Sequence, residues 1–377
     1  MHRLARYAHV LGAGLLAVLV GGSFAAADQY NIAVGKSLTG NLAFIGVPQA
    51  NAIRMAVDEL NAEKFLGEHT LSITVEDDGN DRGQTITLLN KAAADPKTLI
   101  YLGSIWGAHA VAVAPLLNDL KIPMFGTAQT TEPLKLSNWY FKSTTSAPKS
   151  VTTIAKYAVE KAQIKDLIVV FTRDAENTIV SAGIFRDYAK AHGVNVVSEE
   201  SILGSDTNFS AVATKIAAAN PDAIWVGAFG AQAANLVVQL KRAGVRPDLK
   251  IFTTAGLGVD YLQAGGSAVD GTYFWGDFDV QSAEPRIAAF VKNYEAKYGS
   301  VPDSWAGVGY TEAMLAAYAI KASLPNPTRE KVRDAIAAMK DAPTVLGAGL
   351  WSLDADRVPV YQQSIVMVKD GKFQAAP

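Results

Sequence analysis

The residues able to do covalent chemistry are few and poorly placed for it. The chain contains no cysteine, which excludes thiol nucleophiles, zinc ribbons, iron–sulfur ligation and disulfides. No G-x-S-x-G elbow occurs, and Ser267 lacks the second glycine that such a turn requires. Gly256 and Gly258 form a G-x-G, but Tyr261 stands where the third glycine belongs, and no G-x-x-x-x-G-K-[ST] phosphate loop is present. His69, His109 and His192 lie far apart, without the H-x-x-x-H spacing of a metal helix, and His109 reads as a solvated residue in the first turn of a helix. The acidic run Asp77-Asp78-Gly79-Asn80-Asp81 fails as a calcium loop. Counted from Asp78, position five is Arg82 and position twelve is Leu89, so it reads as a turn plus the N-cap of the next helix. With no nucleophile beside a base, no metal and no cofactor expected, the chemistry left is non-covalent binding.

Charge and hydropathy say where that binding takes place. Arg3 and Arg6 precede an uncharged stretch from Val10 to Ala27, rich in Leu, Val, Ala and Gly, that ends in Ala25-Ala26-Ala27. A basic start, an apolar run and small residues at its end predict a signal peptide over 1–27, cleaved near Ala27, hence export across the inner membrane to the periplasm. No later run is long enough to span a bilayer, so no membrane insertion is expected after cleavage. The formal net charge of −2 offers nothing basic to attract nucleic acid.

The elements that must position a ligand follow from periodicity. Short β-branched runs at 30–35, 71–75, 99–102 and 122–125 alternate with helical segments at 48–62, 84–94 and from 110 onward. The alternation restarts with strands at 166–171, 194–197, 223–226, 251–253 and 272–275. Within the first of these the unbroken run Leu167-Ile168-Val169-Val170 predicts a strand covered on both faces. Helices at 285–298, 304–323 and 329–339 and a terminal β pair close the chain. Strands separated by helices imply βαβ units and two parallel sheets, an α/β fold. The predicted division is 28–146 with 277–354 in lobe 1 and 147–276 with 355–377 in lobe 2.

Read in order, several segments resemble the branched-chain amino acid (Leu/Ile/Val) binding protein family of type I periplasmic binding proteins. They are Ser37-Leu38-Thr39-Gly40-Asn41-Leu42-Ala43, Glu76-Asp77-Asp78, Ala112-Val113-Ala114-Pro115, Gly126-Thr127-Ala128-Gln129-Thr130, Thr344-Val345-Leu346-Gly347 and Val366-Met367-Val368-Lys369-Asp370-Gly371-Lys372. The resemblance implies two Rossmann-like lobes with parallel sheets, joined by a three-segment hinge, that close on a small-molecule ligand. It also implies a monomer that delivers its solute to an ABC permease/ATPase complex. Ala128 and Thr130 match positions that hold the ligand's carboxylate and amino ends, Ala128 through its backbone and Thr130 through hydroxyl and amide. Ile45 falls where members often place an aromatic residue near the ligand side chain.

Three departures bear on the ligand. Gly107 replaces a serine that binds the carboxylate, leaving its amide, with Ser104 or Trp106 to compensate. Gln232 replaces the glutamate that pairs with the ligand's ammonium, and a glutamine offers a neutral acceptor and two donors instead of a counter-charge. Glu176 falls on a tyrosine that lines the cleft in many members. Either Glu176 takes over the ammonium or the ligand has none, in which case Trp106 and Trp275 are available to stack a flat acid. Amino acids, aromatic or other carboxylates and neutral amides all stay open, and a sensor feeding a signalling partner is the alternative role.

Overall fold

A computed structural model of the protein describes residues 27–103, 105–254 and 258–376. The segment 1–26, on which the export reading rests, lies outside the described residues, as does Ser104. Among the described residues no helix is long and apolar enough to cross a membrane.

The first sheet contains β1 (Gln29–Lys36), β2 (Thr70–Asp77), β3 (Thr98–Leu102), β4 (Met124–Gly126) and β5 (Tyr140–Lys142). All are parallel, in the order β2-β1-β3-β4-β5. A three-residue strand has too few residues to show periodicity, and β5 is set by its register against β4, Met124 opposite Tyr140. The first helix, Ala43–Ala62, starts before the expected position and contains Pro48. Tertiary contact overrides proline here: a Cβ on Gly46 would stand 2.0 Å from the Ser37 carbonyl oxygen, so the helix start is docked directly on the loop after β1.

The second sheet begins with β6 (Asp166–Thr172), β7 (Asn195–Ile202), β8 (Ala223–Gly227), β9 (Lys250–Thr253) and β10 (Thr272–Gly276). The chain then returns to the first body, where the helices Pro285–Tyr298, Ser304–Ala322 and Arg329–Ala337 bury Ile287, Phe290, Leu315, Val332 and Ile336 in its core. Three short strands, β11 (Ala342–Pro343), β12 (Leu350–Leu353) and β13 (Pro359–Val360), form an antiparallel sheet. The hairpin β14 (Ser364–Lys369) and β15 (Lys372–Ala375) then adds to the second sheet, giving the order β15-β14-β10-β9-β8-β6-β7. Its tight turn places Asp370 at φ 51° and Gly371 at φ 67°, the geometry a two-residue hairpin demands.

The fold is α/β, with parallel-rich sheets in two lobes. The chain passes between them three times: between β5 and the helix Ala147–Glu160, between β10 and the helix Pro285–Tyr298, and between β13 and β14. The last passage lies beyond the expected Asp354. Arg357 donates to the carbonyls of Leu134, Ser137 and Tyr140, Val358 is buried in a first-lobe cluster, and β13 pairs with β12, so the first lobe keeps the chain through Val360.

Candidate functional site

In a parallel sheet flanked by helices, ligands meet the loops beyond the carboxyl ends of the strands. In the first lobe, the acidic run clamps two of these loops together. Asp77 accepts from the Leu38 amide at 2.8 Å, the Thr39 amide at 3.3 Å and the Thr39 hydroxyl at 2.6 Å. Burial pushes the Asp77 carboxyl up, but the Thr39 hydroxyl and the amides of Gly79, Leu38 and Thr39 outweigh it and hold it below the usual range. Asp78 accepts from the Ser37 hydroxyl at 2.6 Å, and Asp81 caps the helix Arg82–Ala94 by accepting from the Gln84 amide at 2.7 Å. No group of three or more potential metal ligands converges among the described residues.

His109 departs from expectation. It is 9% exposed, with Nδ1 3.5 Å from the Thr85 hydroxyl, and burial lowers its pKa.

The loops after β3 and β4 meet. Trp106 is the N-cap residue of the helix Gly107–Leu120 and provides no side-chain acceptor for its first turn. A Cβ on Gly107 would lie 3.4 Å from the Thr130 methyl carbon, so the start of this helix and Thr130 are neighbours. Thr130 is half-buried, and its hydroxyl accepts from the Glu132 amide at 3.2 Å, which orders the loop. Ala128 is 1% exposed, and the Thr127 hydroxyl and the Gln129 side-chain oxygen are buried without partners. Trp106 is half-buried against the first lobe's core. Ile45 is a buried member of that core, and its neighbour Phe44 is the one that lines an interlobe cavity.

In the second lobe, Glu176 is exposed at the start of the helix Glu176–Ala191. Gln232 is used locally: its Nε2 donates to the carbonyls of Leu203 at 2.7 Å, Gly204 at 3.1 Å and Asp206 at 3.4 Å. Its Oε1 accepts from the Thr172 hydroxyl at 3.5 Å. Gln232 therefore braces the turn after β7. Trp275 is core, 3% exposed and stacked on Trp225 with centroids 6.3 Å apart, so it presents no face to a ligand.

Two carboxylates that the sequence did not single out do meet between the lobes. Asp260, in the helix Val259–Gly265, accepts from the Ala231 amide at the start of the helix Gly230–Arg242. A Cβ on Gly230 would stand 2.3 Å from the Asp260 carboxylate, and Gly230 has φ +50°, so only glycine fits there. Asp260 Oδ1 is buried without a partner. Asp303 of the first lobe caps the helix Ser304–Ala322, accepting from the Ala306 amide at 2.9 Å. Burial pushes its carboxyl up to about 6, and the charge on Asp260 adds to that. Both aspartates line a cavity of about 370 Å³ together with Phe44, Val47, Asn51 and Tyr294. An apolar groove of about 460 Å³ lined by Phe278 and Phe373 shares Ser300, Val301 and Asp303 with that cavity.

Residues 29–372 match the family described as periplasmic binding protein. The Leu/Ile/Val-binding protein of Escherichia coli K12 is 23% identical over 243 residues, which cover 63% of this chain and 66% of that protein. A structure of the branched-chain amino acid transporter substrate-binding protein LivJ from Streptococcus pneumoniae, in complex with isoleucine, superposes with a TM-score of 0.82 at 22% identity. It covers 92% of this chain and 99% of its own. A solute-binding protein of an ABC transporter from R. palustris, in complex with benzoate, gives a TM-score of 0.80 at 20% identity, covering 92% of this chain and 95% of its own.

Proposed function

The chain belongs to the periplasmic binding protein family, and from that premise we propose that it captures a small organic carboxylate between its lobes and delivers it to an ABC permease/ATPase complex. In this reading residues 1–27 are a signal peptide cleaved near Ala27, and the mature protein works as a periplasmic monomer.

The observation that carries the proposal is the polarity of the two loop sets. The first lobe offers donors: the amides at the start of the helix Gly107–Leu120, the adjoining Thr130 and the backbone of Ala128. Oriented amides at a helix start suit an anion and need no side-chain ordering. The second lobe offers the acidic groups Asp260 and Glu176, and the first-lobe acid that faces Asp260, Asp303, is pushed up to about 6 by burial. An anionic end toward lobe 1 and a cationic end toward lobe 2 describe an amino acid, the class bound by the isoleucine complex among the structural neighbours.

A second reading is supported by Gln232, whose amide is committed to the turn after β7 and carries no charge. With the half-buried Trp106 beside Gly107, this suits a flat acid without nitrogen, the class bound by the benzoate complex. Thermal-shift measurements with leucine, isoleucine, valine and phenylalanine, each beside its 2-keto acid, and with benzoate decide between the two. Native mass spectrometry of protein purified from its host identifies a co-purified solute. Stabilisation by none of these acids, together with a neutral co-purified ligand, refutes the carboxylate assignment.

A further inference from the structure

The three passages between the lobes converge on one side chain. Asp277 follows β10 directly and opens the second passage. Its carboxylate accepts from the Tyr361 hydroxyl at 2.7 Å and from Gln363 Nε2 at 2.9 Å, both on the third passage. Tyr361 in turn accepts from the Thr145 amide of the first passage at 3.2 Å. Gln363 also donates to the Ser150 hydroxyl of the second lobe at 2.9 Å, while the Asp277 carbonyl accepts from the Gly347 amide of the first lobe at 2.7 Å. One aspartate thus ties all three connections and both lobes.

Beside this node lies Lys142, the last residue of β5 before the first passage. It is 0% exposed, and its Nζ has no hydrogen-bond partner. The other ionisable groups at the junction have their own arrangements. Lys36 Nζ sits 2.8 Å from Glu312, which also accepts from the Ser143 hydroxyl at 2.9 Å, and Lys149 pairs with Asp354 at 2.6 Å. The phenols of Tyr140 and Tyr361 are held protonated by burial. Asp277 is the charged group that acts on Lys142. A buried amine without an acceptor is costly, and water or a carboxylate relieves that cost.

We propose that Lys142 and Asp277 form a proton-sensitive latch in the hinge, with the present lobe arrangement holding the Lys142 amine unpaired and the alternative arrangement giving it an acceptor. Ligands select between lobe arrangements by differential affinity, so the latch sets a pH dependence on capture and release without touching the ligand.

The sign follows from linkage. Burial pushes Lys142 down to about 7, with Asp277 partly opposing, so its proton binds more weakly here than where the amine is solvated or paired. Acidification from the ordinary lysine range down to about 7 therefore drives molecules out of this arrangement, by up to about tenfold per pH unit, and the dependence levels off below 7, where the amine is protonated in both arrangements. Asp277 acts in the opposite sense: burial raises its carboxyl, so a proton there favours this arrangement.

The absence of cysteine permits clean spin-labelling of Lys135→Cys in the first lobe and Ser205→Cys in the second, both at exposed positions. Double electron–electron resonance on the ligand-free protein between pH 5.5 and 9.5 should show two distance populations whose ratio changes above about pH 7 and levels off below it. Lys142→Met should remove that change, leaving at most the opposite response of Asp277. Asp277→Asn, which keeps an acceptor for Tyr361, should shift its midpoint. A pH-independent distance distribution in the labelled wild type overturns the proposal whatever the variants do, and so does a full response retained by Lys142→Met.

Discussion

Asp260 of the second lobe and Asp303 of the first face each other across Gly258, each with a carboxylate oxygen 3.1 Å from the position a Cβ on Gly258 would take. Two acids from different lobes share one confined space, and neither has a cation beside it in the cavity they line. Like charges so placed disfavour each other's ionisation.

Asp303 therefore costs stability when it ionises. Its carboxyl is pushed up to about 6, so the cost accumulates as pH rises from the ordinary carboxylate range through 6 and is absent below it. Asp303→Asn keeps an acceptor for the Ala306 amide and should be more stable than wild type at pH 8 by about 2–3 kcal/mol, at about 1.4 kcal/mol per tenfold. The two proteins should melt together near pH 4. Equal melting temperatures at pH 8 would mean that Asp303 is not destabilised by its site.

Asp260 supplies a buried oxygen without a partner at the lobe interface. If it neutralises a ligand ammonium, Asp260→Asn should weaken amino acids by tenfold or more and leave their 2-keto acids unchanged. Isothermal titration of both classes measures this, and equal losses for both would assign Asp260 to lobe packing alone.

Thr130→Ala removes the hydroxyl of a residue whose methyl neighbours the start of the helix Gly107–Leu120. Hydrogen bonds to charged groups contribute about 1.5–3 kcal/mol, so carboxylate affinity should fall on the order of tenfold or more. The hydroxyl's other bond, from the Glu132 amide, orders an exposed loop, and the melting temperature of the ligand-free protein should barely move. Affinity within a factor of two of wild type would remove Thr130 from the site.

Gln232→Glu tests whether that position can regain a counter-charge. Its amide donates to three carbonyls, and a carboxylate there would face three acceptors with nothing to donate. The variant should lose about 1–3 kcal/mol of stability, read by urea unfolding, and gain no amino-acid affinity. A stable variant that binds leucine more tightly would show that the turn after β7 yields its hold on position 232.

Local pattern alone carried the architecture. The run Leu167–Val170 is 0% exposed throughout, as its lack of alternation predicts, and Asp81 caps the following helix, as the reading of the acidic run as a turn plus N-cap predicts. These features are legible because periodicity and capping involve residues within a few positions of one another. The order of such segments also sufficed to identify the family.

What only the tertiary structure decided involves residues brought together from distant segments. β5 exists because β4 offers a free edge, and the first lobe extends to Val360 because Arg357 finds carbonyls of Leu134, Ser137 and Tyr140 more than two hundred residues earlier. Ile45, which falls where relatives place a residue near the ligand side chain, is buried in the first lobe's core, and Gln232 is claimed by carbonyls about thirty residues upstream. Asp260 with Asp303, and Lys142 with Asp277, acquire their significance by being brought together in burial, where desolvation and like or opposite charge alter each group. A side chain's charge can be read from its type, but the solvent and partners that decide its use come from loops and hinge strands that the linear order keeps apart.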